Sequence, residues 1–274
     1  MASSIFGDIP EDNGSAEIRP CSVINCQLPT DVVLESCDGV RYGAHAVNLE
    51  TYSGGFPIAA STDIDQEAVR MQEKSSVLCL LLQYMHNERQ PDSSKIEFEV
   101  LAPLSEAVEK YMVFSAMEVC KIRMQEAIPN HPLEVLAYAV KHGYPELSKA
   151  AAPLTLPISL SSVTKTLKDR PDIILRWVQY REHWLDILKF IYEIPPIANL
   201  HRGGLEECEK WGDFHRNVIL EVRADVRNVQ KFRDIVGREE NVVEDCSHCR
   251  ARVHKWKLSF ANQIAKLPVF DAGV

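Results

Sequence analysis

The residues whose types and spacing could do chemistry lie in the last quarter of the sequence, and the chemistry they suggest is zinc binding. Cys246 and Cys249 are separated by two residues just before a predicted helix, so a tight turn could present both thiolates to one metal ion. A structural zinc site needs four ligands. Cys208 and His215 are seven residues apart and would share one helical face, so either could join the pair, as could His254.

The same cysteines also have a simpler interpretation, in which they are reduced thiols that bind nothing. A single C-x-x-C is not specific for zinc. The first residues of the sequence carry acids where a secretory signal needs a basic and an apolar segment, so we expect no disulfides among the eight cysteines. Cys79 and Cys120 lie in apolar helical runs and are expected to be small core residues. Both interpretations stay open, and no cofactor other than zinc is expected.

Motifs that usually carry catalysis are missing from the sequence. It contains no G-x-S-x-G, no H-E-x-x-H and no Gly-rich phosphate loop. His45 is expected to have a structural role, in a helix cap or in the core. The other isolated histidines are assigned no role: His131, His142, His183 and His201. We therefore predict that the protein is not an enzyme.

Composition excludes two further classes of function. The formal net charge of -9 and the pI of about 5.5 argue against a general nucleic-acid binder, which needs a basic surface. The locally basic run 249–257 is interpreted as the wet face of an amphipathic helix. No apolar run approaches the ~18 residues of a membrane span. We expect a protein of the cytoplasm or the nucleus.

The first structural element that the sequence predicts is a hairpin in the stretch 31–56. Apolar residues alternate on both sides of Asp38-Gly39, a pair typical of a two-residue type I′ turn with positive φ at both positions. A helix is expected to begin near His45 and to pack on the hairpin. A third strand is expected around Val69 and Met71. These elements predict an α+β domain.

Helical patterns occupy most of the remaining chain. The apolar stripe Val77, Leu81, Tyr84 and Met85 predicts one helix, and two more are expected before Pro129. Beyond residue 129 every periodic segment is helical. Pro153 and Pro157 bracket an extended linker within this part of the chain. Two long helices, one from Pro171 and one over 205–232, are expected to form an antiparallel pair joined by a short loop, and a last helix is expected over 250–267.

The hairpin stretch resembles the opening of a BTB/POZ domain of the fungal type. The residues that carry this resemblance are Asp31, Val32, Leu34, Asp38, Gly39, Tyr42, Ala44 and His45. The segments 75–85 and 106–124 resemble later helices of that domain, and 131–152 is similar to the stretch that follows it in fungal BTB proteins. The implied organisation is a disordered tail at 1–16, a BTB/POZ-like domain with a short sheet and a helical cluster at 17–128, and an all-helical domain at 129–274.

The resemblance implies a protein-protein interaction module or adaptor, which acts by dimerisation and partner recruitment. The partners implied are another BTB chain, as homo- or heterodimer, or a cullin ubiquitin ligase that receives substrates. A transcription-associated regulator with a small zinc-stabilised helical domain is a second alternative. The family-like interaction residues are Asp31, His45, Val47, Leu49 and Tyr52. Ala46 stands where corepressor-recruiting relatives carry a basic partner for Asp31, which disfavours that activity.

Overall fold

The computed structural model describes residues 18–23, 26–56, 68–195, 197–201, 203–206 and 208–270. The chain forms two compact units, Met1–Met124 and Gln125–Val274, called here the N-terminal and the C-terminal unit. The tail predicted at 1–16 lies outside the described residues, as does most of the polar connector after Phe56. None of the described helices combines the length and the apolar character needed to cross a lipid bilayer.

The N-terminal unit contains a small four-stranded sheet. Its strands are β1 (Ile18–Arg19), β2 (Val32–Glu35), β3 (Arg41–Ala44) and β4 (Val69–Arg70), in the order β1-β3-β2-β4. The hairpin strands β2 and β3 are antiparallel, whereas β1 and β4 add in parallel at the two edges. The hairpin and the third strand thus lie where the sequence predicts them, and β1 was not predicted because two residues carry no pattern.

The turn between β2 and β3 does not have the predicted type I′ geometry. Gly39 has φ +79°, but the only described non-glycine residue with positive φ is Met112, so Asp38 does not share that conformation. The Gly39 N–H donates to the Ser36 carbonyl and the Ser36 N–H donates to the Val40 carbonyl, both at 2.9 Å. This is the bonding of a three-residue loop, in which the glycine alone takes the left-handed conformation.

Four helices pack with the sheet: α1 (Ala46–Tyr52), α2 (Ser75–Tyr84), α3 (Phe98–Lys110) and α4 (Phe114–Ala127). The stripe predicted for α2 is buried, because these side chains meet the sheet and α3 in one apolar core. The Asp38 carboxylate accepts hydrogen bonds from the N–H and the hydroxyl of Ser75, at 2.8 and 2.7 Å. The hairpin turn therefore caps the start of α2, whose first N–H groups lack partners within the helix.

Every regular element in the described part of the C-terminal unit is helical. The α-helices are α5 (Pro132–Lys141), α6 (Pro145–Ala151), α7 (Leu160–Thr166), α8 (Pro171–Tyr192), α9 (Glu209–Ala224), α10 (Phe232–Glu239) and α11 (Ser247–Ile264). Short 3-10 helices cover Ala152–Thr155, Val226–Val229 and Glu240–Val243. The molecule is thus mixed α+β, with its sheet in the first unit.

The C-terminal unit differs from the prediction in two ways that matter for its chemistry. The segment 153–157, expected to be extended, begins with a 3-10 turn whose Thr155 hydroxyl accepts a 2.8 Å bond from the buried Trp177 indole. The second long helix begins at Glu209, not at Leu205, and ends at Ala224, where the Asp225 carboxylate starts a 3-10 turn. Helices α8 and α9 are therefore joined by the long connection 193–208 and not by a short loop.

Candidate metal centres

Four side chains of the C-terminal unit converge on one point. His201, Cys208, Cys246 and Cys249, called here the C-terminal cluster, offer ligand atoms that all lie within 4.8 Å of one another. The Cys208 and Cys249 sulfurs are 3.3 Å apart, and the His201 Nε2 lies 3.3 Å from the Cys246 sulfur and 3.5 Å from that of Cys249. A tetrahedral zinc ion with bonds of about 2.0 Å to nitrogen and 2.3 Å to sulfur separates its ligands by roughly 3.5–3.8 Å. The donor set and the spacing fit zinc.

Helix starts position the three cysteines. Cys246 is the N-cap residue of α11 and Cys249 lies in its first turn, as the C-x-x-C spacing predicts. Cys208 is the N-cap residue of α9. The N-terminal end of a helix carries partial positive charge, which complements a negatively charged set of metal ligands. Two helices thus aim their N-terminal ends at the cluster.

His201 reaches the cluster from the connection between α8 and α9. Its N–H donates to the Leu205 carbonyl at 2.9 Å, and its carbonyl accepts from the Gly204 N–H at 3.0 Å. Gly203 and Gly204 have φ of +84° and +79°, a conformation that side chains with a Cβ rarely adopt. The glycine pair therefore lets the chain turn sharply between His201 and Cys208.

Arg252 fixes the start of this connection. Its side chain is 4% exposed, and its guanidinium donates two hydrogen bonds, of 2.9 and 2.7 Å, to the Pro195 carbonyl. The same guanidinium lies 4.1 Å from the centre of the Trp211 ring, a cation-π contact. Arg252 therefore joins α11, α9 and the segment that leads to His201.

The thiols of the C-terminal cluster differ in acidity. The Cys249 backbone N–H lowers the pKa of Cys246 to about 7, with further hydrogen bonds from the Cys249, His201 and Cys208 side chains. Burial raises the pKa of Cys249, which is 1% exposed. Lys210, two residues after Cys208, forms a 2.8 Å ion pair with Asp245, which directly precedes Cys246. Of these two thiols, Cys246 therefore ionises more readily than Cys249.

The structure brings together three of the four residues proposed for zinc from the sequence. Cys208, Cys246 and Cys249 meet, but His215 lies away from them, with its ring 5.5 Å from that of Trp256. The face shared by Cys208 and His215 does not exist, because Cys208 precedes the first turn of α9. His201, which was assigned no role, takes the fourth position. The only sequence feature near His201 that indicates a sharp turn there is the glycine pair that follows it.

A second group of four side chains, which the sequence analysis did not identify, lies in the N-terminal unit. Cys21, Cys26, His45 and His86, called here the N-terminal cluster, also place their ligand atoms within 4.8 Å of one another. The Cys21 sulfur is 3.2 Å from the His86 Nε2, and the Cys26 sulfur is 3.3 Å from the His45 Nε2. Both clusters thus have the donor atoms that zinc prefers.

The family-like interaction residues have different environments. The Asp31 Oδ1 accepts a 2.7 Å hydrogen bond from the Ala46 N–H, so the carboxylate caps α1 although position 46 offers no basic side chain. His45 is 2% exposed and Leu49 6%, and both lie inside the unit. Tyr52 packs partly buried against the core, and Val47 is 51% exposed. On α1, Val47 is therefore the apolar side chain most open to a partner.

Comparisons of the chain with protein-family models, with curated proteins and with solved structures find no match. The resemblance of the hairpin stretch to BTB/POZ domains therefore stays a prediction.

Proposed function

We propose that the C-terminal cluster binds a structural zinc ion and that the protein is a non-enzymatic interaction module. One observation carries this proposal: four side-chain ligand atoms surround a single point. A catalytic zinc ion keeps a coordination position open for water or substrate, whereas a structural one is closed by four protein ligands. A closed site supplies folding free energy and performs no reaction.

The zinc ion would connect three segments of the C-terminal unit, in addition to the contacts that Arg252 makes with all three. His201 belongs to an irregular connection, Cys208 begins α9, and the two remaining cysteines begin α11. Zinc binding requires deprotonated thiols and releases their protons to solvent, so its free energy becomes part of the folding free energy. Without the metal, we expect the connection 193–208 to detach first, because His201 holds it to the cluster.

Elemental analysis of protein purified without added metal tests the site. The expected result is that Cys246→Ser and Cys249→Ser each lower the zinc content by about one equivalent per chain, since a closed structural site survives purification. Cys37→Ser is the matched control, because Cys37 is exposed and belongs to neither cluster. Equal zinc content in the wild type and both variants would refute the proposal. So would peptide mapping of the purified chain that finds a disulfide between the adjacent Cys208 and Cys249 sulfurs.

For the N-terminal unit we propose the BTB/POZ class, as predicted from the hairpin stretch. The antiparallel hairpin, the α1 start beside Asp31 and the three helices that follow support this assignment. Dimerisation through α1 should be weak, because Leu49 is in the core and Val47 alone is widely exposed. Sedimentation at rising concentration tests this: a strict monomer at ~100 μM excludes a homodimer of even modest affinity, since a Kd near 1 μM would be saturated there.

Partner recruitment is supported by a second surface, the outer face of α4. Phe114 is 66% and Ile122 53% exposed, while Ala116, Cys120 and Met124 on the same helix are buried. Single exposed apolar side chains are common, whereas a contiguous apolar patch marks an interaction site, so the proposal requires Phe114 and Ile122 to act as one surface. The proposed partners are proteins, among them a second BTB chain or a cullin that would receive substrates through this adaptor.

Affinity purification from the native cell tests recruitment, with ubiquitin-ligase subunits scored separately from transcription regulators. Phe114→Glu combined with Ile122→Glu should remove the specific partner, whereas Leu160→Glu replaces an exposed apolar residue on another helix and should not. Recovery of transcription regulators would support the alternative of a zinc-stabilised regulator. A partner retained by the double variant would contradict the role of this surface.

A further inference from the structure

We propose that the N-terminal unit holds a second structural zinc ion, bound by Cys21, Cys26, His45 and His86. This site does not depend on the C-terminal one, because its four ligands come from the other unit. Two sulfurs and two imidazole nitrogens form a donor set that zinc takes in many closed tetrahedral sites. The sulfur-nitrogen distances of 3.2 and 3.3 Å are close to the ligand separation of such a site.

The orientation of both histidine rings carries the argument. The His45 Nδ1 lies 2.7 Å from the Pro29 carbonyl, and the His86 Nδ1 lies 2.8 Å from the Leu82 carbonyl. A carbonyl oxygen can only accept, so each Nδ1 carries a proton and donates it. In a neutral ring the Nε2 then presents a bare lone pair, and each Nε2 points at a cysteine sulfur. Histidines that bind zinc usually donate their second ring nitrogen in this way.

Burial supports the same conclusion. His45 is 2% and His86 6% exposed, and their rings meet edge to face with centroids 5.3 Å apart. Two unprotonated imidazole nitrogens that point at one buried place cannot form a hydrogen bond with each other, so this arrangement by itself stabilises the unit little. Without metal, each cysteine S–H can donate to the facing Nε2, and this pair of weak hydrogen bonds is the competing explanation. Zinc binding would release both thiol protons to solvent and form two S–Zn and two N–Zn bonds.

The second zinc ion would hold the chain before β2 onto the unit. Cys21 and Cys26 follow β1, a strand of two residues that pairs with β3 at Ile18↔Arg41 and Arg19↔Tyr42. So short a strand has few ladder hydrogen bonds to keep it in place. His45 is the N-cap residue of α1, and His86 follows the last turn of α2. The metal would therefore cross-link the edge of the sheet to two helices.

Zinc stoichiometry of the full chain tests the second site. We expect about two equivalents in the wild type and about one in His86→Gln, since loss of a ligand empties a closed site. Cys246→Ser combined with Cys249→Ser should also carry about one equivalent. Cys37→Ser should keep both. Far-UV circular dichroism of each variant shows whether it is folded.

Cobalt substitution distinguishes the two sites and does not depend on N-terminal variants. In the Cys246→Ser, Cys249→Ser chain the N-terminal ligands are intact, so Co²⁺ should give a tetrahedral spectrum with the sulfur charge transfer of two thiolates. Failure of the C-terminal proposal leaves wild type and this variant with the same single ion. The second site is refuted if the Cys246→Ser, Cys249→Ser chain binds neither zinc nor cobalt while the wild type holds one equivalent of zinc.

Discussion

The two clusters reach similar ligand geometries by different physical means. In the N-terminal cluster, backbone carbonyls orient both histidines, and the two thiolates balance the charge of a zinc ion. In the C-terminal cluster three thiolates would leave one negative charge in excess, and the starts of α9 and α11 lie beside it. The His201 Nδ1 is buried and has no hydrogen-bond partner among the described residues. Its ring instead lies 4.9 Å from that of His248, centre to centre, and Arg252 holds the start of the connection.

Removal of a buried cysteine ligand should have the largest effect on this comparison. Cys249→Ser is expected to destabilise the C-terminal unit by more than about 4 kcal/mol, because loss of one ligand empties the site and removes the free energy of zinc binding. Thermal unfolding with and without chelator measures the loss. Chelator should destabilise the wild type far more than the variant, and an equal response of both proteins would contradict a metal in this cluster.

The role of Arg252 can be separated from that of the ligands. Arg252→Met should cost roughly 2–4 kcal/mol, since the Pro195 carbonyl loses its donors. We also expect zinc affinity at the C-terminal cluster to fall by about 10- to 100-fold with unchanged stoichiometry, as for other residues that orient a metal ligand. Competition with a coloured chelator measures this affinity. Arg250→Met, at an exposed position of the same helix, is the control, and an unchanged affinity in Arg252→Met would exclude a positioning role.

A turn substitution should lower stability without any loss of metal. Gly39→Val is expected to cost roughly 1–3 kcal/mol, because valine is strained at φ +79° even though no atom lies within 4 Å of the added Cβ. Zinc content should equal that of the wild type, since the turn supplies no ligand. Urea unfolding and metal analysis of the same sample check both statements. A lower zinc content would mean that the N-terminal cluster depends on the hairpin more than its contacts indicate.

The smallest expected effect concerns the cap of α2 and its dependence on pH. Hydrogen bonds from the Ser36 and Ser75 hydroxyls lower the pKa of Asp38 to about 2. A lowered carboxyl pKa stabilises the fold above its ordinary value near 4, and this contribution disappears as the pH falls toward 2. Asp38→Asn should therefore unfold at a lower temperature than the wild type at pH 5, and the difference should vanish near pH 2. Both proteins would lose any bound zinc in acid, so only their difference is informative. A difference that is independent of pH would exclude the cap.

The sequence predicted those features that depend on local spacing. The C-x-x-C pair, the helix that follows it, and the strands on either side of Asp38-Gly39 all have short-range patterns. The N-terminal cluster has no such pattern, because His86 becomes a neighbour of Cys21 only through the packing of α2. His201 was missed for the same reason. The prediction of one long helix over 205–232 was wrong, because a continuous apolar stripe does not reveal a cap such as Asp225.

Each cluster draws all of its ligands from one continuous part of the chain, and this has a consequence during synthesis. Translation makes a protein from its N-terminus, and domains generally fold as they emerge. His86, the last ligand of the N-terminal cluster, is synthesised long before His201, the first of the other cluster. Cys21 and Cys26 can therefore be metal-bound before any C-terminal cysteine exists. If zinc binds during synthesis, the order of translation would keep the C-terminal thiols from competing for the N-terminal ion.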